Sequence, residues 1–336
     1  MALFTAHVPT PALSQRLPGR GSEDLEKGAS ERTGTVRPWL APLSNFHRKT
    51  NMNDGQASRT ALLAAKARAC HQLLDHPKVF DDPLAVKIIG EAFMRDYISL
   101  PPRQRDILCR AGRGALVARS RVAEDALGEA MARGVMQCVV LGAGLDTLAC
   151  RNPYGKTALR MFEVDHPATQ AWKRGKLREA QIAEPDNLTF VPIDFATQNL
   201  SEALRLADFR ADQPAFFCWL GVTMYLTPAM VKATLGYIAS LPGGSGVVFD
   251  FMYRQARWDL PMRLMLWVLT RRYARMGEPW IGFFEPRQLV SDMVALGFSA
   301  ARHLTGAELN STLFASRSDD LRIRLERMGG VMVATV

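Results

Sequence analysis

Gln137-Cys-Val-Val-Leu-Gly-Ala-Gly-Leu-Asp-Thr147 is the stretch that decides the fold. Cys138 to Leu141 is a short apolar run of the kind that forms a strand buried on both faces. It passes directly into Gly142-Ala-Gly144, where the backbone can turn tightly and a ligand can approach closely. A second apolar run, Leu159 to Val164, ends on Asp165, 21 residues after Gly144. A glycine turn after one strand, with an acid at the tip of the next, is how doubly wound α/β folds hold an adenosine ribose.

The rest of the turn bears on which adenosine compound is held. A dinucleotide fingerprint needs a third glycine three positions after the second, to bring helix and strand together over a pyrophosphate. Thr147 stands there, preceded by Asp146. An acid in the first turn of a helix suits the helix dipole but repels a pyrophosphate. S-adenosyl-L-methionine, which has no phosphates, fits better than a nicotinamide dinucleotide. A glycine turn without any ligand is the plainer alternative.

Composition narrows the class. The chain has 336 residues, 48% of them hydrophobic, enough for a sizeable core. No stretch approaches the roughly 18 uninterrupted apolar residues of a membrane span; Pro214 to Tyr225 is too short and is broken by Gly221 and Thr223. The net charge of +9 raises the question of a nucleic-acid partner. Residues 1–50 hold seven Lys/Arg against four acids, and the remaining excess is scattered, without a basic stripe interleaved with aromatics. Solvated faces explain it, and no nucleic-acid partner is expected. The five cysteines show neither metal-ligand spacing nor a compact disulfide framework, so no metal is expected. Cys138 and Cys218 read as small core hydrophobes, which favours a reducing, cytoplasmic setting.

Residues 1–52, with five prolines and no hydrophobic period, read as a disordered extension. Organised sequence begins near Met52, which makes it a candidate translation start. Residues 53–133 read as helical. Ser58 caps a first helix, Asp82-Pro83 opens a second that runs through Ile89, and Ala115 to Met131 forms a third. Residues 134–336 read as an α/β core with strands at 138–142, 159–164, 188–193, 215–221 and 246–251. A helix over 286–296 and a closing pair of strands at 298–304 and 311–316 follow. Such alternation implies a mostly parallel sheet with right-handed crossovers. Residues 253–285, rich in Trp, Met and Arg, interrupt the rhythm and are expected to form a lid over the ligand site.

An ordered series of motifs then gives a resemblance. Ser58-Arg-Thr-Ala61 with Arg68-Ala69, Phe80-Asp-Asp-Pro83, and Ala118-Arg-Ser-Arg121 with Asp125 precede the first strand. Gly142-Ala-Gly-Leu-Asp-Thr147, Phe162-Glu-Val-Asp-His-Pro167, Ile193-Asp-Phe195, Gly221-Val-Thr-Met-Tyr-Leu226 and Gly277-Glu-Pro-Trp280 follow. From about Ser58 to Arg317 the chain resembles the leucine carboxyl methyltransferase family, in particular its bacterial branch of S-adenosylmethionine-dependent methyltransferases. That resemblance implies a Rossmann-like class I methyltransferase sheet with a helical N-terminal cap. It implies that Arg119 meets the cofactor carboxylate, assisted by Arg68, and that Gly142 and Gly144 approach the methionine part. It further implies that Asp165 takes the ribose hydroxyls and that Asp194 and Phe195 border the adenine. Asp146 is assigned to helix capping. One departure stands out. The family's leucine carboxyl enzymes carry a glutamate just before the glycine position of the fourth strand, where this chain reads Trp219-Leu220-Gly221. The C-terminal leucine of a phosphatase subunit is therefore not carried over as the substrate.

The expected reaction is in-line methyl transfer to oxygen, on a carboxylate or hydroxyl of a small-molecule or peptide acceptor. A carboxylate needs no general base, whereas a hydroxyl does. Tyr225, after the fourth strand, is the candidate to position or deprotonate an acceptor; packing is its plainer role. His166 reads as a structural turn residue, and Trp280 and Phe283 as walls of an apolar pocket or of the core. A nicotinamide-dependent oxidoreductase and a non-catalytic S-adenosylmethionine-binding protein are the competing readings. Acceptor identity and oligomeric state are not legible in the sequence.

Overall fold

The computed structural model describes residues 58–154, 159–195, 198–254, 259–275 and 277–336. The extension read over residues 1–52, and Met52 with it, lies outside the described residues.

Four helices come first: α1 (Arg59–Leu74), α2 (Leu84–Ile89), α3 (Glu91–Ser99) and α4 (Arg113–Ala132). Ser58 caps α1, its hydroxyl accepting the Ala61 N–H at 3.1 Å. The expected second helix is α2, which ends at Gly90, a residue with φ +104° that L side chains rarely adopt. The sequence reading missed α3. Cys70 in α1 and Cys109, 39 residues later, are joined as a disulfide, a pairing that the scattered cysteine spacing did not show.

The core then alternates β1 (Gln137–Leu141), α5 (Leu148–Arg151), β2 (Arg160–Asp165), α6 (Pro167–Glu179), β3 (Leu188–Pro192), α7 (Leu200–Leu206), β4 (Phe216–Trp219), α8 (Pro228–Ala239) and β5 (Gly246–Tyr253). After β5 come α9 (Leu260–Arg275), β6 (Phe283–Phe284), α10 (Pro286–Leu296), β7 (Ala300–Thr305), α11 (Gly306–Leu313) and β8 (Gly329–Thr335). The eight-stranded sheet has the order β3-β2-β1-β4-β5-β8-β7, with β6 pairing beside β5. β1 to β5 run parallel, and β8 and β7 close the edge antiparallel. This is the doubly wound, mostly parallel sheet the sequence predicts.

The closing pair needs correction. The stretch expected as a strand at 311–316 holds the end of α11, and the last strand is β8. Thr305 caps α11 by accepting the Glu308 N–H at 3.1 Å, and Leu309 and Leu313 stand one helical turn apart. Gly306 lets this helix lie against the Glu326 backbone, where a Cβ would come within 2.8 Å of Cα.

Side-chain alternation along the strands explains the layers. Val139 and Leu141 of β1 join Phe162, Phe217 and Phe249 in one core, covered by α7, α8 and α10. Cys138 and Val140 face the other way, against Val117, Leu127 and Ala130 of α4. β1 separates β2 from β4, so the connections leave it in opposite directions. A crevice opens at that point beyond the carboxyl ends of the strands, and ligands of doubly wound sheets bind there. Among the described residues, no helix is long and apolar enough to cross a membrane.

Candidate functional site

A cavity of about 850 Å³ occupies that crevice, near the top of the usual range for small-molecule sites. Arg68, Arg119, Gly142, Gly144, Asp165, Asp194 and Phe195, expected at the cofactor, and Tyr225, the candidate at the acceptor, all line it.

The glycine turn is shaped by its neighbours. Gly142 has φ +67°, and a Cβ there would lie 2.4 Å from Val222 Cγ2. Gly144 has φ +50°, and its Cβ would meet that of Ala61 at 2.9 Å. Both positions therefore exclude a side chain on conformational and on steric grounds. Asp165, at the end of β2, is locked against the same turn. Its Oδ2 accepts the Gly144 N–H at 2.6 Å and its Oδ1 the His166 N–H at 2.7 Å. Burial pushes the Asp165 carboxyl up, and the two backbone N–H groups oppose that shift. His166 caps α6 with Nδ1, which accepts the Ala168 N–H at 3.2 Å, in keeping with a structural turn residue.

Thr147, at the position of a dinucleotide's third glycine, is not available to a ligand either. Its hydroxyl donates to Asp82 Oδ1 at 2.6 Å. Asp146 Oδ1 accepts the Leu148 N–H at the start of α5. Burial raises the Asp146 pKa, but Arg68 and Lys173 outweigh it and the carboxyl stays below its ordinary value. Arg68 braces the turn from outside, with Nε on Asp82 at 3.1 Å and Nη2 on the Leu145 carbonyl at 2.7 Å. Beneath lies a buried pair, Lys173 Nζ on Glu163 Oε2 at 2.5 Å.

Arg119 of α4 reaches the cavity beside the end of β4, and it is paired there. Its Nη1 donates to Asp250 Oδ2 at 2.6 Å, while Asp250 Oδ1 accepts the Gly221 N–H at 2.6 Å. Gly221, with φ +77°, leaves room for the guanidinium, because a Cβ would stand 2.9 Å from Arg119 Nη2. Sequence reasoning missed Asp250. The one available signal was a lone acid inside the apolar run of β5.

The opposite end of the cavity is apolar. Tyr225, Met252, Leu269, Tyr273, Trp280 and Met328 line it, and Tyr273 stacks on Trp280 with ring centroids 4.7 Å apart. Burial raises the Tyr225 phenol pKa, and Thr60 and Trp280 partly offset it. Glu278 Oε2 accepts the Thr60 N–H at 3.2 Å, joining the start of α1 to the segment after α9. Phe283 lies in β6, packed against Met224, Met252 and Leu266, and is not part of the cavity lining. Among the described residues no group of His, Cys, Asp or Glu could hold a metal ion.

The family model described as leucine carboxyl methyltransferase matches residues 61–239. The Bacillus subtilis protein named "Putative S-adenosyl-L-methionine-dependent methyltransferase YktD" is 31% identical over 291 residues, covering 80% of this chain and 95% of its own. A Frankia alni protein of the same description, FRAAL3718, is 31% identical over 186 residues, covering 54% of this chain and 64% of its own. Among solved structures, a DUF574 family protein from Streptomyces avermitilis aligns with a TM-score of 0.48 at 14% identity, over 84% of this chain and 99% of that one.

Proposed function

This chain belongs to the leucine carboxyl methyltransferase family, and from that premise we propose that its cavity binds S-adenosyl-L-methionine across the glycine turn after β1 and that the enzyme methylates an oxygen of its acceptor. It is an S-adenosylmethionine-dependent methyltransferase. The nicotinamide alternative falls with that membership. Thr147, bound to Asp82, had already argued against a pyrophosphate.

The observation that carries the reading is the lock of Asp165 onto Gly144 and His166. Both carboxylate oxygens are fixed by backbone donors, which leaves lone pairs on each free to accept from a vicinal diol such as a ribose. The residues present fit the cofactor elsewhere too. Gly142 and Gly144 hold backbone without side chains where its methionine part would lie. Arg119 and Asp250 offer opposite charges to a zwitterionic amino acid, the guanidinium to its carboxylate and the carboxylate to its ammonium. Asp194 and Phe195, just beyond β3, border the adenine. Arg68 holds the turn in place rather than gripping the ligand directly.

Bound there, S-adenosylmethionine supplies an electrophilic methyl group on a sulfonium. The chain itself need only hold the acceptor in line and keep water out. Residues 277–280, tied to α1 through Glu278 and Thr60, act as the lid over the acceptor end. Calorimetric titration of S-adenosylmethionine into wild-type and Asp165→Ala protein tests the site, and labelled-methyl transfer to an acceptor tests catalysis. Binding without any transfer would leave a cofactor-binding protein, not an enzyme.

A further inference from the structure

We infer that the acceptor is a neutral hydroxyl on a largely apolar, ring-bearing molecule rather than a carboxylate, and that Glu278 receives its proton. This rests on the methyltransferase reading and narrows its substrate class.

The first ground is charge. Among the described residues lining the cavity, every guanidinium is already matched to a carboxylate: Arg68 to Asp82, Arg119 to Asp250, and Arg324 to Asp320. Three guanidinium groups face six lining carboxylates, on Glu124, Asp146, Asp165, Asp194, Asp250 and Glu278, of which Glu124 is itself paired with Arg151 outside the lining. Such a cavity attracts a sulfonium and repels a second anion. A carboxylate entering it would be desolvated without a free cation to pair with.

The second ground is the acceptor end itself. Its wall is aromatic rings and methionines, and the charged side chain that joins them, Glu278, is an acid. Among the described residues Glu278 has no cation within ion-pair distance, and the Thr60 N–H is its hydrogen-bond donor. A carboxylate there has lone pairs to spare and takes an O–H donor, whereas another carboxylate brings none.

In the transfer, the acceptor O–H bond breaks and its proton passes to Glu278 and then to water. The oxygen forms a bond to the methyl carbon, and the carbon–sulfur bond breaks with its electron pair staying on sulfur. The sulfonium is thereby neutralised, and one proton is released per turnover.

The test uses the full-length protein, methyl-tritiated S-adenosylmethionine and a protein-free small-molecule extract of the source organism. Labelled product is treated with alkali, which releases methanol from esters and leaves aryl and alkyl ethers intact. Alkali-stable, ether-linked label is expected. Glu278→Gln should slow its formation at least tenfold while the calorimetric Kd for S-adenosylmethionine stays within twofold, and Glu278→Asp should keep part of the rate. Volatile methanol, an N- or S-methylated product, or a wild-type rate in Glu278→Gln would overturn the inference and leave the methyltransferase reading standing. Failure of the wild-type protein to bind S-adenosylmethionine would instead remove that reading. Bound cofactor with no labelled product would overturn both.

Discussion

Arg119 Nη1 lies 2.6 Å from Asp250 Oδ2, across 131 residues of sequence, and both side chains face the cavity. Two opposite charges held side by side, with Gly221 steadying the acid, match the two ends of a bound amino acid. Asp250→Asn should weaken S-adenosylmethionine binding by about 1–3 kcal/mol, because one charged contact is lost and Arg119 is left without its partner. Binding of 5′-methylthioadenosine, which lacks the amino-acid end, should not change. Equal losses for both ligands would show that the pair does not read that end.

The pH dependence of binding follows from Asp165. Burial raises its pKa, so as pH falls through that raised value the carboxylate gains a proton. It then loses charge and acceptor capacity toward a diol. The Kd for S-adenosylmethionine should therefore rise on acidification, and Asp165→Asn should flatten that rise. An acid-side slope that survives in Asp165→Asn would assign it to another group.

Gly142 carries two constraints, and they can be separated. Gly142→Ala should cost about 1–2 kcal/mol for φ +67° and about 1–3 kcal/mol more for the clash with Val222 Cγ2. Adding Val222→Ala should relieve the clash part and leave the backbone part, as read by urea unfolding. A single mutant as stable as wild type would contradict this geometry.

The pair Lys173–Glu163 is about 99% buried, each side chain being 1% exposed. Lys173→Met strands the acid. Burial already raises the Glu163 pKa, and without the lysine it rises further above its unfolded value. The unfolded chain then releases this proton at a lower pH than the folded one. The stability penalty therefore grows with pH across that window, toward about 3–5 kcal/mol above it. Adding Glu163→Leu should recover most of the loss, and a pH-independent penalty would count against this account.

Much of the sheet was legible because buried parallel strands appear as apolar runs. The β1 run, the glycine turn and the acid ending β2 lie close together in sequence, and so their local chemistry could be read directly. What escaped depends on contacts between distant segments. Asp250 gains meaning only beside Arg119, and Glu278 only beside Thr60, 218 residues away. The disulfide needs α1 folded against the turn before α4. The closing edge was misplaced because Leu309 and Leu313 read equally as strand or helix until Thr305 caps the chain. The true last strand, Val331 to Ala334 at its centre, follows an arginine-rich stretch that carries no strand signal.

The central claim is that the crevice above β1 and β2 holds S-adenosylmethionine. Calorimetry of the full-length protein against S-adenosylmethionine, S-adenosylhomocysteine, NAD and NADP tests it most directly. One equivalent of each adenosyl-sulfur ligand should bind, with the nicotinamide cofactors silent and Asp165→Ala weaker by about 1–3 kcal/mol. Binding of NAD or NADP alone, or full affinity for S-adenosylmethionine in folded Asp165→Ala, would contradict it.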